Sequence, residues 1–187
     1  MERPPTTLTD PPAHLRRWTH ADADELLSVV TESLESLRPW MPWAAGEYTA
    51  ESAADFTRHS AEAWAAGTEF NYAITVDGAI TVDGAIVGSC GLMRRIGPGG
   101  LEIGYWLHPA ARGRGVATRA AAALVTAAFL LPTTTHVEIV HDLANTRSAA
   151  IPRRLGFTEW ARSDTPQEPL TSGEAGVDIR WRLTGPA

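Results

Sequence analysis

The sequence predicts a mixed α/β sandwich of about seven strands and about four helices, and three observations carry that prediction. Its 187 residues, 44% hydrophobic and 20% charged, can bury one core and hardly two. Runs with strand composition are interleaved along the chain with runs at helical spacing. An alanine-rich helix at about 116–130 separates two strand runs, which suits a crossover between parallel neighbours.

Residues 1–12 hold four prolines and should lie loose or extended, leaving 13–187 as a single domain. His14–Trp18 alternates as a first strand. A helix from about Asp22 to Leu37 follows, with Leu26, Leu27, Val30, Leu34 and Leu37 at helical spacing and Pro39 ending it. The Trp/Pro-rich segment LRPWMPWAA cannot be regular helix. A second helix runs from about Glu51 to Ala66 and stops at Gly67. Glu69–Val76, Ala85–Arg95 and Leu101–His108 are β-rich, with a Gly97–Gly100 turn before the last. After the alanine-rich helix come a strand at Thr135–His141, a helix at Arg147–Leu155, and strands at Gly156–Arg162 and Val177–Leu183.

Ile74–Ala79 and Ile80–Ala85 are both ITVDGA. An even insertion preserves strand alternation, so the repeat is expected to swell a hairpin turn into a loop at Asp77–Gly84.

Composition narrows the function. The formal charge of −6 argues against a general grip on nucleic acid. All 16 basic residues are arginine, which excludes a lysine Schiff base. One cysteine, Cys90, cannot build a disulfide framework or a multi-cysteine zinc site, and no histidine pair has metal-ligand spacing. No metal and no membrane association are expected, and the absence of a signal-like segment suggests a cytoplasmic protein.

The informative stretch is EIGYWLHPAARGRGVAT, Glu102–Thr118. A strand runs into an Arg/Gly loop that opens a helix, so backbone N–H groups and the positive helix end converge on one point. That is a pyrophosphate cradle, with Arg112, Arg114 and Arg119 beside it. A Walker loop would need a lysine, and a dinucleotide fingerprint a third glycine where Thr118 stands.

Arg112-Gly113-Arg114-Gly115-Val116-Ala117 resembles motif A of the GNAT superfamily of acyl-CoA-dependent acetyltransferases. Asn145-Thr-Arg-Ser148, followed by a helix and Leu155-Gly156-Phe157, resembles that family's motif B. LRPWMPWA and EIGYWLHP are similar to the RimJ/RimL-type branch, which acetylates protein N-terminal amines and, in relatives, small amines. The resemblance implies a mostly antiparallel central sheet splayed in its middle. It also implies that Gly113–Thr118 hold the pyrophosphate of acetyl-CoA, that Asn145 meets its pantetheine region, and that a backbone N–H near Leu107 or His108 meets the acetyl carbonyl.

Amine acetylation needs a base and an acid. Glu102, alone in an apolar run, is the base candidate or else an ion-pair residue. Ser148 matches the position that the resemblance assigns to hydrogen-bonding the CoA sulfur, and is the acid candidate or else a helix-start hydroxyl. Tyr105 is a weaker acid candidate and lies where it could meet substrate. Trp40 and Trp43 shape the acceptor site or anchor the core. His108 and His141 could line the cleft, and Glu35 or Glu47 could meet a cationic acceptor. The expected partner is a protein N-terminal or small-molecule amine, and the expected state a monomer or homodimer.

Overall fold

A computed structural model describes residues 2–76, 84–163 and 171–185. Strand β1 (Thr7–Asp10) and β2 (Ala13–Arg17) precede helices α1 (Ala23–Leu37) and α2 (Ala50–Ala66). Then come β3 (Glu69–Val76), β4 (Ile86–Met93), β5 (Gly100–Leu107), α3 (Val116–Phe129), β6 (His136–Asp142), α4 (Thr146–Arg154), β7 (Thr158–Arg162) and β8 (Asp178–Thr184). There is one strand more than expected. It is β1, where the proline-flanked segment takes the extended form and pairs antiparallel with β2, Leu8 opposite Leu15. The loop expected at Asp77–Gly84 lies outside the described residues but for Gly84.

Local chemistry sets the helix ends. Thr49 caps α2 by accepting the Ser52 N–H at 3.2 Å, and Gly67 closes it in the left-handed region at φ 74°. No helix among the described residues is long and apolar enough to cross a membrane.

The eight strands form one sheet in the order β1-β2-β3-β4-β5-β6-β8-β7. Every neighbouring pair is antiparallel except β5 and β6, which α3 joins as a crossover. Alternation on β5 sorts its side chains. Leu101, Ile103, Tyr105 and Leu107 face α3, in the larger core cluster. Trp106 packs with Leu26, Val29 and Val30 of α1, on the opposite face. Glu102 and Gly104 share that face with Trp106.

The parallel pairing stops halfway. Gly100–Ile103 pair with His136–Ile139, and the remaining residues of both strands pair only with their outer neighbours. The gap so left between Gly104–Leu107 and Val140–Asp142 is the splay that the resemblance implies.

Small residues bring α3 close to the sheet: Ala120, Ala121, Ala127 and Ala128 are all buried around Leu124. Enlarging one should force the helix off the strands that frame the gap. Ala121→Leu is expected to destabilise the fold by about 1–3 kcal/mol, read by chemical denaturation.

Candidate active site

The two arms of the gap are tied back by different residues. On the β5 side the His108 N–H donates to the Val87 carbonyl at 2.8 Å, so alternation of the antiparallel ladder turns the N–H of Tyr105 and Leu107 toward the gap. Of the two candidate donors for an acetyl oxygen, Leu107 is therefore the one facing the opening. Arg112 folds back onto this arm, donating from Nε and Nη2 to the Leu107 carbonyl and from Nη2 to Ser36 Oγ at 2.7 Å. Its guanidinium braces the strand end, where the sequence suggested that it reinforce the phosphate cradle.

On the β6 side Asp142 does the tying. Its carboxylate accepts the N–H groups of Ala144, Ala175, Gly176 and Val177 at 2.7–3.1 Å. Burial raises its proton affinity, and those four hydrogen bonds outweigh burial, holding the carboxyl below the ordinary range. His141 is engaged at both ring nitrogens, with the Asp142 carbonyl at 2.7 Å and Trp181 Nε1–H at 2.9 Å. The indole must donate, so Nε2 accepts and the ring is neutral in this arrangement.

Beyond Leu107 the chain makes the cradle. Gly113 and Gly115 have φ 73° and 80°, and a Cβ at either would meet nothing within 4 Å. The positive φ requires glycine there, and the space before it is open. Gly115 caps α3, and a second recess of about 330 Å³ beside it is lined by Thr118, Arg119, Arg154 and Leu155. Val116 is buried and anchors the helix start, while Arg114 is exposed at the loop and Ala117 packs against the core. A diphosphate linked to an extended amide-bearing arm fits this arrangement: free N–H groups at the helix end, then strand backbone open along the gap.

Across the gap, Asn145 caps α4 by accepting the Ser148 N–H at 3.1 Å. Pro152 stands inside α4 and has no N–H to give the Ser148 carbonyl four residues back. Tyr105 reaches that position from β5. Its hydroxyl lies 3.1 Å from Ser148 Oγ and 3.4 Å from the Ser148 carbonyl oxygen. Burial pushes the Tyr105 hydroxyl up to about 12 against the smaller opposing effect of Ser148, so it keeps its proton. The two acid candidates are thus one hydrogen-bonded pair.

The opposite face holds a cleft of about 820 Å³. Trp40, Trp43, Tyr48, Glu47, Glu102, Gly104 and Trp106 line it, and Tyr105, His141, Asn145 and Ser148 close its inner end through the gap. Glu102 is buried, lines the cleft and is ion-paired to Arg95, as the ion-pair reading of it expects. Trp43 is 46% exposed, which makes it a wall of the cleft rather than a core anchor. Glu47 lines the cleft while Glu35 does not. His108 turns away, its Nδ1 accepting the Ala110 N–H and its Nε2 3.3 Å from Glu32. Sequence reasoning missed Tyr48 and Trp106 as cleft walls and Asp142 as a brace. Alternation from Glu102 along β5 could have found Trp106; Asp142 was missed because three of its four partners lie 33–35 residues away.

The sequence pattern of the acetyltransferase (GNAT) domain family matches residues 13–158. A 62-residue stretch is 37% identical to the candidate ribosomal N-acetyltransferase YdaF of Bacillus subtilis (strain 168), covering 33% of this chain and 34% of that protein. The match therefore spans about a third of this curated relative. The structure of RimL, a ribosomal L7/L12 alpha-N-protein acetyltransferase in complex with coenzyme A, is similar at a TM-score of 0.82 and 18% identity, over 95% of this chain and 97% of that one. The microcin C7 self-immunity acetyltransferase MccE, in complex with acetyl-CoA and AMP, reaches 0.81 and 18%, over 94% and 93%. These two likenesses are likenesses of fold.

Asp142→Asn removes a charge that four N–H groups require, and should cost on the order of 1–3 kcal/mol at neutral pH. Because the folded carboxyl is held below its ordinary range, its contribution is complete above that range and lost as pH falls through the lowered value. The stability difference between wild type and Asp142→Asn should therefore shrink on acidification, as measured by denaturation at stepped pH.

Proposed function

From the premise that the chain belongs to the GNAT acetyltransferase family, we propose that it transfers an acetyl group from acetyl-CoA directly to a primary amine. The acceptor is a protein N-terminal amine or a small-molecule amine, as in the RimJ/RimL-type branch. The match to YdaF and the fold shared with RimL support that branch. The observation that carries the reading is the gap itself, which opens onto Glu102 on one face and onto the Tyr105–Ser148 pair on the other.

Bound acetyl-CoA would supply an activated acyl carbon with a thiolate leaving group. Backbone N–H groups of Gly113–Thr118 would hold its diphosphate, and Asn145 and the free edges of the gap its amide arm. The Leu107 N–H would donate to the acetyl oxygen, where negative charge grows as the amine attacks. The amine nitrogen bonds to the acyl carbon, the carbon–sulfur bond breaks, and two protons must move. Glu102 takes the one leaving the amine. Leu107 lies five steps along the strand from Glu102, about 16 Å, so that proton travels through water rather than by direct contact. Arg95 holds the Glu102 carboxylate in place. Ser148 protonates the departing thiolate, with the neutral Tyr105 hydroxyl behind it as donor. The reaction is placed in the cytoplasm, where acetyl-CoA is supplied.

A thiol-release assay over N-terminal peptides and small amines tests this reading. Glu102→Gln should lower kcat by about 100-fold or more, and Ser148→Ala by a smaller factor that Tyr105→Phe deepens. Tight acetyl-CoA binding with no amine releasing thiol would instead mark a binding module. Turnover untouched by both Glu102→Gln and Ser148→Ala would show that other groups carry the protons.

A further inference from the structure

Resting on the reading of the cleft as the acceptor site, we propose that the acceptor carries a second positive charge. That charge persists after its primary amine is acetylated, and Trp43, Tyr48, Trp106 and Glu47 select for it. The aromatic wall comes first. Trp43 lies 6.0 Å from Tyr48 and 6.1 Å from Trp106 between ring centroids, with interplanar angles of 63° and 55°. The three rings meet edge to face or tilted and line one opening, and an aromatic wall of this kind attracts a cation and binds an apolar chain equally well.

The charge of the cleft decides between those two occupants. Its described lining holds the carboxylates Glu47, Glu102, Asp142, Glu174 and Asp178, and Arg95 as the sole arginine. Arg95 is already given to Glu102, and Asp142 is satisfied by four backbone N–H groups. Glu174 accepts one N–H, from Thr171 at 3.0 Å. The side chains of Glu47 and Asp178 have no ion pair or hydrogen bond among the described residues. His141 adds no positive charge, since both its ring nitrogens are engaged with the ring neutral.

A carboxylate or phosphate beside the reacting amine would meet these charges with nothing to offset them. A second ammonium or a guanidinium would be favoured by rings and carboxylates together. Gly104 adds no side chain of its own between Glu102 and Trp106, so the floor there is the apolar tip of Met93, 3.0 Å from where a Cβ would stand. The same chemistry could come from a small diamine or from a peptide whose second residue is basic.

The test is a matched series at fixed acetyl-CoA: cadaverine, pentylamine and 5-aminopentanoate, which differ in the charge at the far end. The dipeptide amides Ala-Arg and Ala-Ala form a second arm that separates peptide from small-molecule sources. In at least one arm the cationic member should exceed its neutral partner in kcat/KM by about tenfold, with 5-aminopentanoate poorest. Glu47→Gln should shrink that ratio several-fold, and Trp43→Ala should shrink it further. Equal use of all three small amines and of both peptides, or a ratio unmoved by Glu47→Gln, overturns the proposal.

If no amine releases thiol although acetyl-CoA raises Tm, the acetyltransferase reading fails and the cation site is judged by binding alone. Pentyltrimethylammonium, which has no transferable proton, should then bind the wild type by calorimetry and bind Glu47→Gln several-fold more weakly. No binding to the wild type overturns the site.

Discussion

Parallel strands that start side by side tend to stay paired, because each further residue satisfies two backbone groups. Here β5 and β6 part after Ile103 and Ile139, and everything the protein offers a substrate depends on that parting. The separation is held from outside. Arg112 covers the Leu107 carbonyl while β4 keeps the other edge of β5, and Asp142 gathers three N–H groups, of Ala175, Gly176 and Val177, that fix the end of β6 to the start of β8. The Tyr105–Ser148 pair crosses the opening where Pro152 has left a helix carbonyl without its usual partner.

The gap also divides the charge of the molecule. Residues 1–60 hold ten acids and five arginines, while residues 108–160 hold six arginines and three acids. The net −6 hides this division. The arginine-rich part surrounds the N-terminus of α3, where phosphate would lie, and Glu47 from the acidic part joins Glu102 at the cleft on the other face. A proton taken from an amine and one given to a thiolate would thus be handled on opposite sides of one sheet. The two carriers need not neutralise each other.

Much of this was legible in sequence because it is local. Helix spacing and the Gly67 stop placed α2 nearly to the residue, and the Arg/Gly stretch between strand and helix marked the loop that opens α3. Other features were illegible for a physical reason. Side-chain type does not reveal whether an arginine faces a ligand or its own backbone, and Arg112 chose the backbone. Nor does it say which of two successive N–H groups faces a gap; that is fixed by which one β4 takes.

By itself, then, the sequence determined the order of elements from β2 onward, the crossover through α3 and the glycines at 113 and 115, since periodicity, capping and positive φ are properties of neighbouring residues. Only the tertiary structure decided where the ladder stops, which face Glu102 shares with Trp106, that Ser148 and Tyr105 are hydrogen-bonded, and that the described lining of the cleft is acidic with Arg95 already bound. Those depend on register and on contacts between residues far apart in the chain, such as Tyr105 with Ser148 and Asp142 with Val177, which no local pattern encodes.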